Sequence, residues 1–210
     1  MALFLNGFKR AVGPAIVTAV GLGAATAELA WSAAPMVPPP PATVSAVALH
    51  FRAGTLRAGT VLHPAALGVR VFPDARRGFA LATVRDVTYP AATSNRGTTW
   101  RVNGPAFHLP AAQAPLVVTQ VGAAGSREYF AWGGPEGGQA IDVTADGGRH
   151  WWQAILGDVV LAVVGGPHGR LTAVAQRGVS SSNSSQAVTW VYVSRDGGRH
   201  WLYTDRLGAP

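Results

Sequence analysis

From Val69 onward the chain alternates short apolar runs with clusters of Gly, Pro, Ser, Asp and Asn. Runs rich in β-branched and aromatic residues, bounded by turn formers, predict strands rather than helices. They fall at 69–72, 78–83, 116–121, 128–132, 140–143, 151–155, 159–164, 170–175 and 187–193. The first 31 residues read differently. Lys9 and Arg10 precede an uncharged run over 11–27, 17 residues long, which ends at Glu28. A positive start, an apolar middle and the small residues Ala25, Thr26 and Ala27 describe a secretory signal. Extended to Trp31, the same stretch has 21 residues, enough for an anchor helix at about 1.5 Å rise per residue. Glu28 directly after Ala27 tilts the choice toward the anchor, and both alternatives place everything downstream outside the cytoplasm.

Residues 32–46 hold Pro35, Pro38, Pro39, Pro40 and Pro41 and read as a stiff polyproline linker. The domain organisation expected is therefore 1–31 signal peptide or anchor, 32–46 linker and 47–210 a repeat domain. The repeat is carried by three octets with the pattern Ser/Thr-x-Asp/Asn-x-Gly-x-x-Trp. The first holds Thr93, Asn95, Gly97 and Trp100, the second Thr144, Asp146, Gly148 and Trp151, and the third Ser194, Asp196, Gly198 and Trp201. Asn95 and Asp146 are 51 residues apart, Asp146 and Asp196 are 50 apart. An Asp or Asn side chain at the third position closes a turn on backbone N–H groups, and glycine at the fifth permits positive φ. The tryptophan re-enters the next strand as a large apolar anchor. On this chemistry the octets are structural staples, and Asp146 and Asp196 are not catalytic acids.

These octets resemble the Asp box, or BNR repeat, of sialidase-like β-propellers. With the stretch from Phe72 to Ala80 the chain also resembles the exported propellers related to a photosystem II assembly factor. The resemblance covers most of the exported part. It implies an all-β fold, a partial β-propeller of about three four-stranded Asp-box blades behind the N-terminal apolar helix and Pro-rich linker. Family rings close with six or more blades, and three octets supply half of that. Part of a fourth blade is expected within 47–62. The outward edge of the first blade and the open face of the last are expected to meet water, which favours self-association or a protein partner.

Composition narrows the chemistry. There is no cysteine, which excludes disulfides, thiol catalysis and cysteine-ligated zinc. The formal charge is +7, but the arginines are scattered along the sequence without a basic cluster, so no nucleic-acid partner is expected. Sialidase-like enzymes use an arginine triad with acidic and tyrosine partners, and here the acids are few. Glu128-Tyr129 is the one adjacent pair, and as strand neighbours the two point to opposite faces. Asp74 and Asp142 sit where such repeats place turn or edge acids. His150 and His200 recur beside Trp151 and Trp201 but lack further ligands at short spacing. The serine run from Ser180 to Ser185 lacks a nucleophile elbow and reads as a polar loop between strands. No catalytic residue, cofactor site or metal site is expected. The function expected is an extracytoplasmic, membrane-tethered or secreted non-enzymatic scaffold for protein partners, touching the membrane through its N-terminal helix. The alternative is a degenerate sialidase-like propeller that binds or cleaves carbohydrate. Three converging arginines with an acid pair would mark the alternative.

Overall fold

The computed structural model describes residues 39–109, 117–134, 138–181 and 184–207. The signal or anchor segment and the linker as far as Pro38 lie outside the described residues. Among the described residues no helix is long and apolar enough to cross a membrane. Among the described residues the helical elements are two 3-10 turns, Pro64–Ala66 and Pro167–Gly169.

The fold is all-β, with three antiparallel sheets that do not close on one another. The chain enters through two short strands, β1 (Thr43–Ser45) and β2 (Val47–Leu49). The first sheet follows as a meander of β3 (Leu67–Val71), β4 (Gly78–Val84), β5 (Val87–Thr93) and β6 (Arg101–Val102). The second holds β7 (Gln120–Ala123), β8 (Tyr129–Trp132), β9 (Ala140–Thr144) and β10 (Trp151–Ile155). The third holds β11 (Val159–Gly165), β12 (Leu171–Ser181), β13 (Ser184–Ser194) and β14 (His200–Leu207).

The N-terminal stretch crosses the outer edges of all three sheets in turn. β1 pairs antiparallel with β14, β2 with β10, and Val61 bridges to Arg101 beside β6. Each sheet thereby gains cover for an edge whose N–H and C=O groups would otherwise invite foreign strands. The expected part of a fourth repeat within 47–62 is not there. Those residues extend existing sheets instead: β2 lies beside β10, and Val61 bridges to Arg101.

Three apolar clusters hold the layers. Phe79, Leu81, Phe107, Tyr129 and Trp151 fill the gap between the first and second sheets, with Phe79 stacked on Tyr129 at 4.9 Å between ring centres. Phe130, Ile141, Val143, Leu171, Trp190, Tyr192 and Trp201 fill the gap between the second and third. The third cluster lies on the far face of the first sheet, where Tyr89, Trp100 and Val102 are covered by Leu56 and Leu62 of the N-terminal stretch. The first sheet therefore has its far face covered, and Val61 bridges to Arg101 on its β6 edge.

One expected strand shortens, and one strand has no counterpart among the expected runs. The run at 116–121 yields a strand only from Gln120, since Val118 is apolar for packing between sheets and not for a ladder. β5 escaped the strand pattern because Pro90 lies in its middle. In an antiparallel ladder, directly opposed hydrogen-bonded residues exchange two bonds. Asn103 N–H donates to the Pro90 carbonyl, but proline has no N–H to return. The Asn103 carbonyl accepts instead from the Trp151 indole N–H at 2.9 Å, linking the first sheet to the second. A Cβ at Gly104 would clash with that same indole nitrogen, so the tryptophan also dictates the glycine.

Candidate functional site

The three octets take one turn geometry. Each begins at the end of the third strand of its meander and delivers its tryptophan at or just before the fourth. The Oγ of Thr93, Thr144 and Ser194 donates to the Oδ1 of Asn95, Asp146 and Asp196 at 2.8, 3.0 and 2.9 Å. The same hydroxyl oxygens accept from the N–H of Gly97, Gly148 and Gly198 at 3.1, 2.9 and 2.9 Å. Oδ1 of the third residue accepts from the N–H of the seventh, Thr99, His150 or His200, at 2.9, 3.0 and 3.0 Å. All three glycines have positive φ, and Cβ atoms at Gly148 and Gly198 would strike Asn103 and Val143. Trp100, Trp151 and Trp201 are buried, at 3%, 1% and 0% exposure.

One further bond recurs. The N–H of the fourth octet residue, Arg96, Gly147 or Gly197, donates to a carbonyl in the hairpin between the first two strands, that of Arg76, Arg127 or Gly169. Each octet is thus tied to a second turn of its own sheet, and the two turns form one rim. The Asp74 side chain builds the first of those hairpins, its Oδ1 accepting from the N–H groups of Arg76 and Arg77. These bonds hold its carboxyl below the usual range.

His150 and His200 are not gathered. Each points its Nδ1 at the Oδ2 of its own octet aspartate, at 2.5 and 2.6 Å, and both rings are largely exposed. Partial burial raises the pKa of Asp146 and Asp196, but the bonds from His150 and His200 and from the octet hydroxyls outweigh it, leaving both lowered. Among the described residues no three His, Asp or Glu side chains cluster.

The other acids separate by environment. Asp142 was expected at a turn or edge, yet it is fully buried in β9, opposite Gln153 of β10. Gln153 Nε2 donates to its Oδ1 at 2.8 Å, while Asp142 Oδ2 and Gln153 Oε1 have no partner. Burial pushes the Asp142 carboxyl up to about 7, partly offset by the Gln153 bond. A protonated Oδ2 supplies the one kind of group that two orphaned acceptors lack, a donor. Asp158 is also buried, but Arg177 grips it with two bonds at 2.6 and 3.3 Å. Glu128 is half-buried with its Oε1 unpartnered, and burial raises its pKa. Asp142, Asp158 and Glu128 do not meet in one pocket.

What the sequence did not show is where the arginines go. A cleft of about 610 Å³ opens between the first and second sheets on the octet rim, lined by Arg77, Arg101, Arg127 and Arg149. They come from a hairpin, a strand, a second hairpin and an octet, so no local charge run announces them. A faint signal existed: Arg77 and Arg127 stand 50 residues apart, close to the octet period, each just before the second strand of its sheet. The carboxylate in the lining is Asp146, already bound to its own turn. An acid pair beside converging arginines is therefore missing from this cleft.

No family model, curated protein or solved structure matches the chain.

Proposed function

We propose that the chain is an exported, non-enzymatic scaffold, a partial propeller of three Asp-box blades that associates with a second copy through its third sheet. The repeat spacing and the shared turn geometry support the blade reading. The observation that carries the association is the outer face of the third sheet. Register aligns three rows on it: Val159, Gln176 and Thr189; Ala162, Val174 and Val191; and Val164, Thr172, Val193 and Leu202. The opposite face of that sheet packs on the second sheet through Val160, Ala173, Ala175, Trp190 and Tyr192. Val164 is 63% exposed, Val159 50% and Leu202 44%, and no described segment lies over them.

The occupant follows from charge. The chain carries +7, so two copies repel in most orientations. None of the ten residues named is ionisable, and the row through Val191 ends at Asp205 on β14, an acid, so this face is a place where identical surfaces meet without opposing positive charges. Two antiparallel faces pack readily at about 10 Å, and a two-fold pairing uses the same patch on both partners. A membrane tether through the N-terminal segment would hold two copies at high local concentration. The test is the mass of the full chain by light scattering, for the natural protein and for a Val164→Asp/Leu202→Asp double variant. The expected result is two copies for the first and one for the second. A single copy for both, or an association the double variant leaves untouched, overturns the proposal.

A further inference from the structure

We propose that the cleft between the first and second sheets is a binding site for an acidic carbohydrate, an oligosaccharide bearing carboxylate or sulfate groups. The site is independent of the self-association face, which lies on the third sheet. Its charge is lopsided. Four arginines line it, Asp146 is the one acidic residue of the lining, and its carboxylate is engaged by the N–H and ring of His150. The acid nearest Arg77 outside the lining is Asp74, at 4.0 Å and largely exposed, a distance at which little of the cation is neutralised. Arg101 donates through Nη1 to the Gly59 carbonyl at 2.9 Å, which fixes its head at the wall and leaves its remaining donors free to face a ligand.

A comparison within the molecule sharpens the point. Arg149 and Arg199 occupy the same place in the second and third octets. Arg199 lies over the Trp152 ring, 5.1 Å from its centre, and so is used in the fold. Arg149 lines the cleft instead. The donor supply is not only cationic. Asn103 reaches the lining with a buried Nδ2 that has no partner, held against the Gly148 backbone of the second octet. An unpartnered amide donor beside these arginines is a further group that an oxygen acceptor would satisfy.

Shape and apolar content select the class. A volume of about 610 Å³ is in the range of sites for small molecules and short oligomers. Phe51, half exposed, stands in the lining and offers one flat apolar surface of the kind a sugar ring can lie against. The second aromatic of the lining, Tyr129, is buried, stacked on Phe79 and bonded through its hydroxyl to the Ser126 carbonyl. One free ring is a poor platform for successive stacked bases, which argues against single-stranded nucleic acid. Arginine forks arranged on several sides suit oxyanions spaced around a ring better than the side-by-side carboxylates of an extended acidic peptide. With no acid pair in the lining, the site binds its ligand and leaves the glycosidic bond intact.

The test is calorimetric titration of the full chain, at low and moderate salt, with five probes. They are a galacturonic acid oligomer, its methyl-esterified counterpart, a sulfated oligosaccharide, poly-glutamate and an oligonucleotide. The first or third should bind, and the esterified form should not. An Arg127→Gln/Arg149→Gln variant should lose at least tenfold in affinity. Both side chains are exposed, so folding should survive, and an unchanged melting temperature checks it. An Arg170→Gln/Arg195→Gln variant, with the same loss of charge elsewhere, should bind as the natural protein does. The preference between carboxylated and sulfated probes identifies which oxyanion the cleft takes. Failure of every saccharide, stronger binding of poly-glutamate or the oligonucleotide, or equal weakening by both double variants overturns the proposal.

Discussion

The first and third sheets are built from the same repeat and end in opposite ways. Each is an antiparallel meander with an octet between its last two strands, and each packs one face on the second sheet. The far face of the first is sealed by Leu56 and Leu62, and the Leu56 N–H donates to the hydroxyl of Tyr89 beneath it. The far face of the third holds Val159, Val164 and Leu202 in solvent. The difference comes from the direction of one segment. It starts on the outer edge of the third sheet at β1, steps to the second at β2, and reaches the first over its far face at Leu56 before bridging its edge at Val61. Edges are covered three times, a face only once. Equal repeats therefore acquire unequal roles from a stretch that contains no repeat.

The comparison can be broken first at its core. Trp201→Ala empties a fully buried position between the second and third sheets and should cost about 3–5 kcal/mol in urea unfolding. Leu62→Ala acts on the sealed side and should cost about 2–4 kcal/mol. It should also speed amide exchange in β5 and β6 while leaving β12 and β13 protected, since the cover belongs to the first sheet alone. If exchange rises equally in both sheets, the cover is not local.

Between the two sheets lies Asp142, whose titration sets a pH dependence. Its folded pKa is raised to about 7, so the folded form binds its proton more tightly than the unfolded chain, with its value near 4. The contribution is fully present below about pH 4 and falls away as pH rises toward 7, by an amount on the order of a few kcal/mol. Asp142→Asn should flatten that slope, and unfolding midpoints measured from pH 4 to 8 decide it. Smaller again is the octet itself. Asp196→Ala removes bonds to the N–H groups of Arg199 and His200 and should cost about 1–3 kcal/mol, and Asn95→Ala, with one such bond to Thr99, about 1 kcal/mol. A larger loss for Asn95→Ala than for Asp196→Ala would contradict the bond inventory.

The octets were legible in the sequence because a turn is a local object: residue types at fixed offsets determine which hydrogen bonds form. Most strands were legible for the same reason, through runs such as those at β8, β9 and β12. What escaped depended on partners distant in sequence. β5 was hidden by Pro90, whose missing N–H makes sense only with Trp151 opposite Asn103. β1 and β2 are three residues each and pair with strands at the far end of the chain or well along it. Asp142 read as a turn or edge residue because burial of a β9 side chain is decided by the sheets on either side. The arginine cleft was invisible because Arg77, Arg101, Arg127 and Arg149 are spread over 73 positions of sequence. Local chemistry can be read from spacing, and gathered chemistry needs the fold.

The absence of cysteine makes the central comparison directly measurable. One cysteine placed at Val174, in the middle of the open face, and in a second protein at Val61, on the covering segment, gives two singly labelled chains. Treatment of each full chain with a short bismaleimide, followed by denaturing electrophoresis, reports which surface meets its own copy. The Val174→Cys protein should cross-link to a two-chain species at micromolar concentration, and the Val61→Cys protein should remain a single chain. Equal cross-linking of the two, or cross-linking through Val61→Cys alone, would contradict the account.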